Sequence, residues 1–134
     1  MPLKLKKGVK ELVAEANAEI ETISANDALK LKDDANVVLV DLRDVRELAR
    51  DGRVPGALHA PRGMLEFWVD PESPYYKEIF GSGKKFVFFC AGGLRSALAA
   101  QAVQRMGLEP VCHIEGGFRA WKEAGGPVDT AKKE

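Results

Sequence analysis

Lys85-Phe86-Val87-Phe88-Phe89-Cys90-Ala91-Gly92-Gly93-Leu94-Arg95 is the stretch that decides the fold. The run Phe86 to Phe89 is aromatic and β-branched without alternation, the pattern of a strand covered on both faces. Two glycines interrupt it. From Arg95 to Met106, Leu98, Ala99, Ala102, Val103 and Met106 then recur at helical steps, with Gly107 placed to end the helix in a left-handed conformation. Strand, glycine turn and helix make the repeating unit of an α/β sheet, in which ligands bind beyond the carboxyl ends of the strands. Cys90 falls at that position.

The turn has a chemical consequence. Gly92 and Gly93 allow backbone conformations closed to other residues, so that successive N–H groups can turn inward as an anion-binding nest in front of a helix N-terminus. The thiolate is the nucleophilic form of cysteine, and at its ordinary pKa of about 8.5 a thiol is mostly protonated near neutral pH. Inward N–H groups, the helix dipole and the charge of Arg95 all favour S⁻. The same cradle, from Ala91 through Gly92, Gly93 and Leu94 to Arg95, fits the terminal sulfur of a persulfide, and Arg95 is expected to attract an anionic donor. The competing reading is a buried cysteine at a strand end, since cysteine is among the most buried residue types.

Outward from this unit, strands and helices alternate. Val9, Leu12, Val13, Ala16 and Ile20 predict an amphipathic helix that needs a second surface. Ser24 with Asp27 resembles a capping box before a helix from Ala25 to Lys32. Strands are expected at 36–41, 57–59 and 111–114, and helices at 47–51, 64–68, 75–80 and 118–124, with a fraying polar tail after Val128. Strands that alternate with helices imply right-handed crossovers and a parallel sheet covered on both faces.

The chain has 134 residues, 46% of them apolar and 30% charged, ordinary for one globular domain. Lys plus Arg equals Asp plus Glu at 20 each, which gives no reason to expect nucleic acid or an anionic membrane as partner. No apolar run is long enough to span a bilayer or to follow the N-terminal lysines as a signal segment, so the cytoplasm is the expected location. Cys90 and Cys112 are too far apart in sequence for the two-residue gap of a zinc or thioredoxin-type pair, and Cys112 reads as a small buried hydrophobe, with a resolving thiol as the alternative. His59 and His113 lack carboxylates at ligand spacing and read as packing or surface residues.

Three ordered segments resemble the rhodanese (sulfurtransferase) superfamily from about Ile20 to Val128. Val40-Asp41-Leu42-Arg43 is similar to the family's Asp-x-Arg strand ending, with Glu47, Gly52 and Pro55-Gly56-Ala57 through Pro61 following it. Cys90 to Arg95 fits Cys-x-x-Gly-x-Arg, and Glu115-Gly116-Gly117-Phe118-Arg119-Ala120-Trp121 resembles the C-terminal signature. The chain departs from the family in carrying Arg53 where a His is common and Leu48 where an aromatic is common.

The resemblance implies a three-layer α/β fold with a five-stranded parallel sheet between helices, built of an N-terminal helical extension (1–19), the domain proper (20–128) and a tail (129–134). It implies a sulfurtransferase in which Cys90 accepts sulfane sulfur from a small sulfur-containing anion such as thiosulfate and yields it to cyanide, a thiol or a protein acceptor. No metal or organic cofactor is required, and the oligomeric state is open. Asp41, Arg43 and Glu47 are candidate pocket residues, although an ion pair bracing the loop is the simpler role for the first two. Arg62, Trp68 and Phe118 could rim the entrance or only cover the core. Related phosphatases and arsenate reductases place Arg six positions after Cys, whereas Cys90 to Arg95 is five. A binding or redox-sensing module without turnover is the alternative of a different class.

Overall fold

The computed structural model describes residues 3–130. Five segments form its sheet: β1 (Glu21–Ile23), β2 (Val37–Asp41), β3 (Leu58–His59), β4 (Lys85–Phe89) and β5 (Val111–Ile114). Their order is β1-β5-β4-β2-β3 and every neighbouring pair is parallel. Parallel neighbours cannot be joined by tight turns, so the connections cross the faces as helices. The connecting helices are α2 (Ala25–Leu31), α3 (Val45–Asp51), α4 (Leu65–Val69) and α5 (Leu94–Met106), while α1 (Val9–Glu19) precedes β1 and α6 (Gly117–Glu123) follows β5.

The side-chain alternation of the central strands divides the core into two layers. Phe86, Phe88 and Val111 face the side covered by α1, α4 and α5, where Val13, Ala16, Leu65 and Val103 are buried. Val87, Phe89, Cys112 and Ile114 face the side covered by α2 and α6, with Ala28, Phe118 and Trp121. Both layers are built of apolar side chains, and at about 25 cal/mol per Å² of apolar area removed from water they supply the main driving force for folding. Among the described residues no helix is long and apolar enough to cross a membrane.

Several local expectations are corrected. β1 had no apolar signature of its own, and it exists because Glu21, Thr22 and Ile23 pair with Cys112, His113 and Ile114. The α1 stripe is narrower than predicted: Val13, Ala16 and Ile20 are buried, but Val9 and Leu12 remain exposed, because α1 packs chiefly on α5. On α5 the inward face is Ser96, Ala97, Ala99, Ala100 and Val103, and Met106 is exposed. Small side chains are needed there because α5 touches α1 as well as the sheet.

Helix α3 starts two residues early, since Asp44 Oδ1 accepts from the N–H groups of Arg46 and Glu47 while Glu47 Oε1 accepts from Asp44 N, a complete capping box. Residues 75–80 are not a helix. Lys77 N donates to Trp68 O across the loop, and only the 3-10 turn Glu78–Gly81 follows. The chain after Val128 does not simply fray, because Arg53 and Asp129 exchange two N–H···O bonds of 2.8 Å, while 131–134 lie outside the described residues.

Candidate active site

Cys90 follows directly on β4 and is 1% exposed, at the start of the turn into α5. Gly93 takes φ 99°, which an L side chain rarely adopts, and this turns its N–H onto Cys90 Sγ at 3.2 Å. A second donor comes from the first turn of α5, Ser96 N at 3.4 Å from Sγ. Two N–H groups and a helix N-terminus therefore converge on one sulfur atom, an environment that favours negative charge.

The loop is held from beneath by α6. Phe118 N donates to Cys90 O at 2.7 Å and Arg119 N to Ala91 O at 3.1 Å. This close approach explains the glycine pair after Glu115: a Cβ on Gly117 would collide with Cys90 O and lie 2.9 Å from Ala91 O, and the φ of Gly117 is +59°. Gly92 and Leu94 are exposed at the mouth of the loop, whereas Gly93 is buried.

Arg95 is paired with a carboxylate. Its Nη1 and Nη2 donate to Glu47 Oε1 and Oε2 at 2.8 and 3.0 Å, a bidentate pair that ties the start of α5 to α3. The Arg95 guanidinium holds the Glu47 carboxyl at about 2, well below the ordinary carboxylate value; burial opposes this and the Asp44 N–H assists it. A depressed carboxylate contributes stability that is fully present above its unfolded value and is lost as the pH falls through its folded value.

Glu47→Gln is therefore expected to cost about 1–2 kcal/mol at pH 7, less than the shift alone implies because Arg95 is 42% exposed to screening solvent. Its stability gap to the native protein should close between roughly pH 4.5 and 2, the interval of the shift. Urea unfolding at several pH values measures that gap, and a gap independent of pH would contradict the assignment.

Asp41 and Arg43 lie deeper. Arg43 Nη2 sits 2.7 Å from Asp41 Oδ2 and 2.9 Å from Gly52 O, with both side chains buried. Arg43 Nη1 is buried without a hydrogen-bond partner, and the Phe118 ring, 3.9 Å from Cζ, offsets part of that cost. His59 Nε2 contacts Arg43 O at 2.6 Å and steadies the same turn. A cavity of about 410 Å³ opens beside the loop, walled by Arg43, Asp51, Ala91, Gly92, Phe118 and residues Arg119 and Lys122 of α6. Arg62, paired with Glu66, and Trp68, under Lys77 Nζ, are not among its walls.

Ser96 and His113 were not among the predicted site residues. Ser96 Oγ lies 3.7 Å from Cys90 Sγ and 2.9 Å from His113 Nδ1, and both residues are buried. A serine directly after Arg95, in the first turn of a helix aimed at the cysteine, was the available signal. Cys112 is 0% exposed, and burial pushes its thiol up to about 11, as a core residue requires. Among the described residues no cluster of His, Cys, Asp and Glu is placed to hold a metal ion.

Comparison with known proteins shows what the chain as a whole is similar to. The rhodanese-like domain family matches residues 24–124. A putative sulfurtransferase of Bacillus subtilis, YtwF, is 30% identical over 104 residues, covering 78% of this chain and 89% of that protein. Human thiosulfate:glutathione sulfurtransferase is 30% identical over 108 residues, covering 76% and 93%. A solved structure from Rhodopseudomonas palustris, described as a protein of unknown function and possible tyrosine phosphatase, is 57% identical with a TM-score of 0.93, covering 96% and 99%. Other curated relatives are longer, and the chain spans 57% and 58% of two of them.

Proposed function

The chain belongs to the rhodanese-like domain family, and on that premise we propose that it is a sulfurtransferase that carries sulfane sulfur on Cys90. Residues 20–128 are the catalytic unit in this reading, and 1–19 an extension of it. The observation that carries the proposal is the convergence of Gly93 N and Ser96 N on Cys90 Sγ inside a loop with five-residue Cys-to-Arg spacing.

The reaction is a double displacement. Cys90 thiolate attacks the outer sulfur of a donor such as thiosulfate, the donor S–S bond breaks, and sulfite leaves with the electron pair. Cys90 then bears a persulfide, whose terminal sulfur takes the negative charge. A nucleophilic acceptor, cyanide or a thiol, attacks that sulfur, and the Cys90 thiolate leaves. The name of the human relative supports a low-molecular-weight thiol as acceptor. With Arg95 engaged by Glu47, the cavity beside Ala91 and Gly92, with Arg119 and Lys122 on its rim, is the proposed approach for the anionic donor.

Incubation with thiosulfate is expected to add the mass of one sulfur atom to the native protein, and cyanide should remove it with release of thiocyanate. Neither change occurring would overturn the proposal. The description of the Rhodopseudomonas palustris structure favours one other reading, Cys90-dependent hydrolysis of an aryl phosphate, and the same preparations decide it. A tetrahedral phosphate calls for a longer loop and a free arginine, so no hydrolysis is expected. Absence of both reactions would leave the binding or redox-sensing module.

A further inference from the structure

His113 interrupts a strand whose other members, Val111, Cys112 and Ile114, are apolar. It is 2% exposed and lies on the α1 and α5 side of the sheet, where each ring nitrogen meets one polar atom. Nε2 is 2.8 Å from Asn17 Oδ1 on α1, and Nδ1 is 2.9 Å from Ser96 Oγ on α5. Asn17 Oδ1 can only accept, which places the ring proton on Nε2 and leaves Nδ1 as acceptor for the Ser96 hydroxyl. Ser96 Oγ in turn accepts from Cys90 S–H across 3.7 Å. The bonds run in one direction, from Cys90 through Ser96 and His113 to Asn17.

We propose that His113 is the proton acceptor for the Cys90 thiol, reached through Ser96 and held in the required tautomer by Asn17, so that the N-terminal helix completes the active site. The proposal rests on the reading of Cys90 as nucleophile. The transfer balances: the thiol proton passes to Ser96 Oγ as the Ser96 proton passes to His113 Nδ1. The products are a thiolate and an imidazolium. Ser96 O–H then donates to S⁻, and His113 Nδ1–H donates to Ser96 Oγ. The same inverted chain supports Cys90 as leaving group in the second displacement.

A histidine buried only for packing has no need of a chain that ends on the reactive sulfur. Nor does the fold family itself demand α1, which lies ahead of the matched residues 24–124. Burial lowers the proton affinity of His113, keeping it neutral and able to accept, while Glu115 opposes this. Glu115 is the charged group near the ring, from the end of β5. The other elements present uncharged groups, Thr22 of β1 and Phe88 of β4 in register, Asn17 of α1 and Ser96 of α5. Arg95 beyond them is paired with Glu47.

The test is the pH profile of Cys90 alkylation by iodoacetamide, followed by peptide mass. His113→Gln keeps a hydrogen-bonding side chain of similar size but removes the base. It is expected to raise the profile midpoint by about one unit and slow alkylation at pH 7 about tenfold. Asn17 is exposed, so its variants should fold even if His113→Gln does not. Asn17→Leu should raise the midpoint by less. Asn17→Asp should lower it, because a carboxylate on Nε2–H favours the imidazolium, whereas its direct charge on the sulfur would act the opposite way.

Profiles of His113→Gln and Asn17→Asp that superimpose on the native one would overturn the relay. If His113→Gln fails to fold, an Asn17→Asp profile that is unshifted or shifted upward does so alone. Alkylation uses no sulfur donor, so a shifted profile with no sulfur loading sustains the relay and rejects the sulfurtransferase. Loading with unshifted profiles does the reverse.

Discussion

Cys90→Ser is expected to abolish sulfur loading from thiosulfate and thiocyanate formation, to below detection in both assays. The loss follows from the reacting atom. A serine hydroxyl is scarcely ionised at neutral pH, is a poor nucleophile toward sulfur, and offers no thiolate leaving group for the second displacement. The fold should survive, because Cys90 lies among donors: Gly93 N and Ser96 N would meet an oxygen acceptor in place of Sγ. Chemical denaturation within about 1 kcal/mol of the native protein would verify that, as expected for a near-isosteric change at a hydrogen-bonded site. Cys112→Ser supplies the control, since Cys112 is sealed in the layer beneath α2 and α6 and should load sulfur only if that layer opens. Sulfur retained on native Cys90→Ser would remove Cys90 from the mechanism.

How much of this was readable beforehand depends on the range of the interaction. The β4 strand, its glycine turn and α5 are contiguous, so apolar run, turn chemistry and helical spacing point to the same structure. β1 was invisible from its own three residues because its pairing with β5 spans the chain. The site divides in the same way. Cys90 and its cradle follow one another in sequence, and the Gly116-Gly117 pair has a local signature whose reason, contact with Cys90 O, emerges only in three dimensions. The Arg95–Glu47 pair joins residues 48 positions apart, and His113 meets Asn17 across 96. No spacing rule reaches that far. Arg95 therefore looked free for substrate, and His113 looked like packing. Asp44 was a different matter, since its cap on α3 was local and only the competing choice of Glu47 as helix start concealed it.

Asp41→Ala is expected to destabilise the fold by about 3–5 kcal/mol, the range for leaving a buried charge without its partner. Few domains of this size can spare that from a total of about 5–15 kcal/mol. Arg43 would keep Gly52 O and the Phe118 face, neither of which neutralises a guanidinium sealed from water. The consequence should reach the site, because the pair links the end of β2 to the C-terminus of α3, and α3 carries the Glu47 that anchors Arg95. Replacing both partners by apolar residues, as in Asp41→Leu with Arg43→Met, should recover much of the loss, since no uncompensated charge remains. Urea unfolding of the single and double variants forms a cycle whose coupling energy measures the pair. Single variants within about 1 kcal/mol of the native protein would mean that water reaches Arg43, in the manner of an exposed pair. In that case the brace between strand and helix would have to come from the backbone and the Asp44 cap alone.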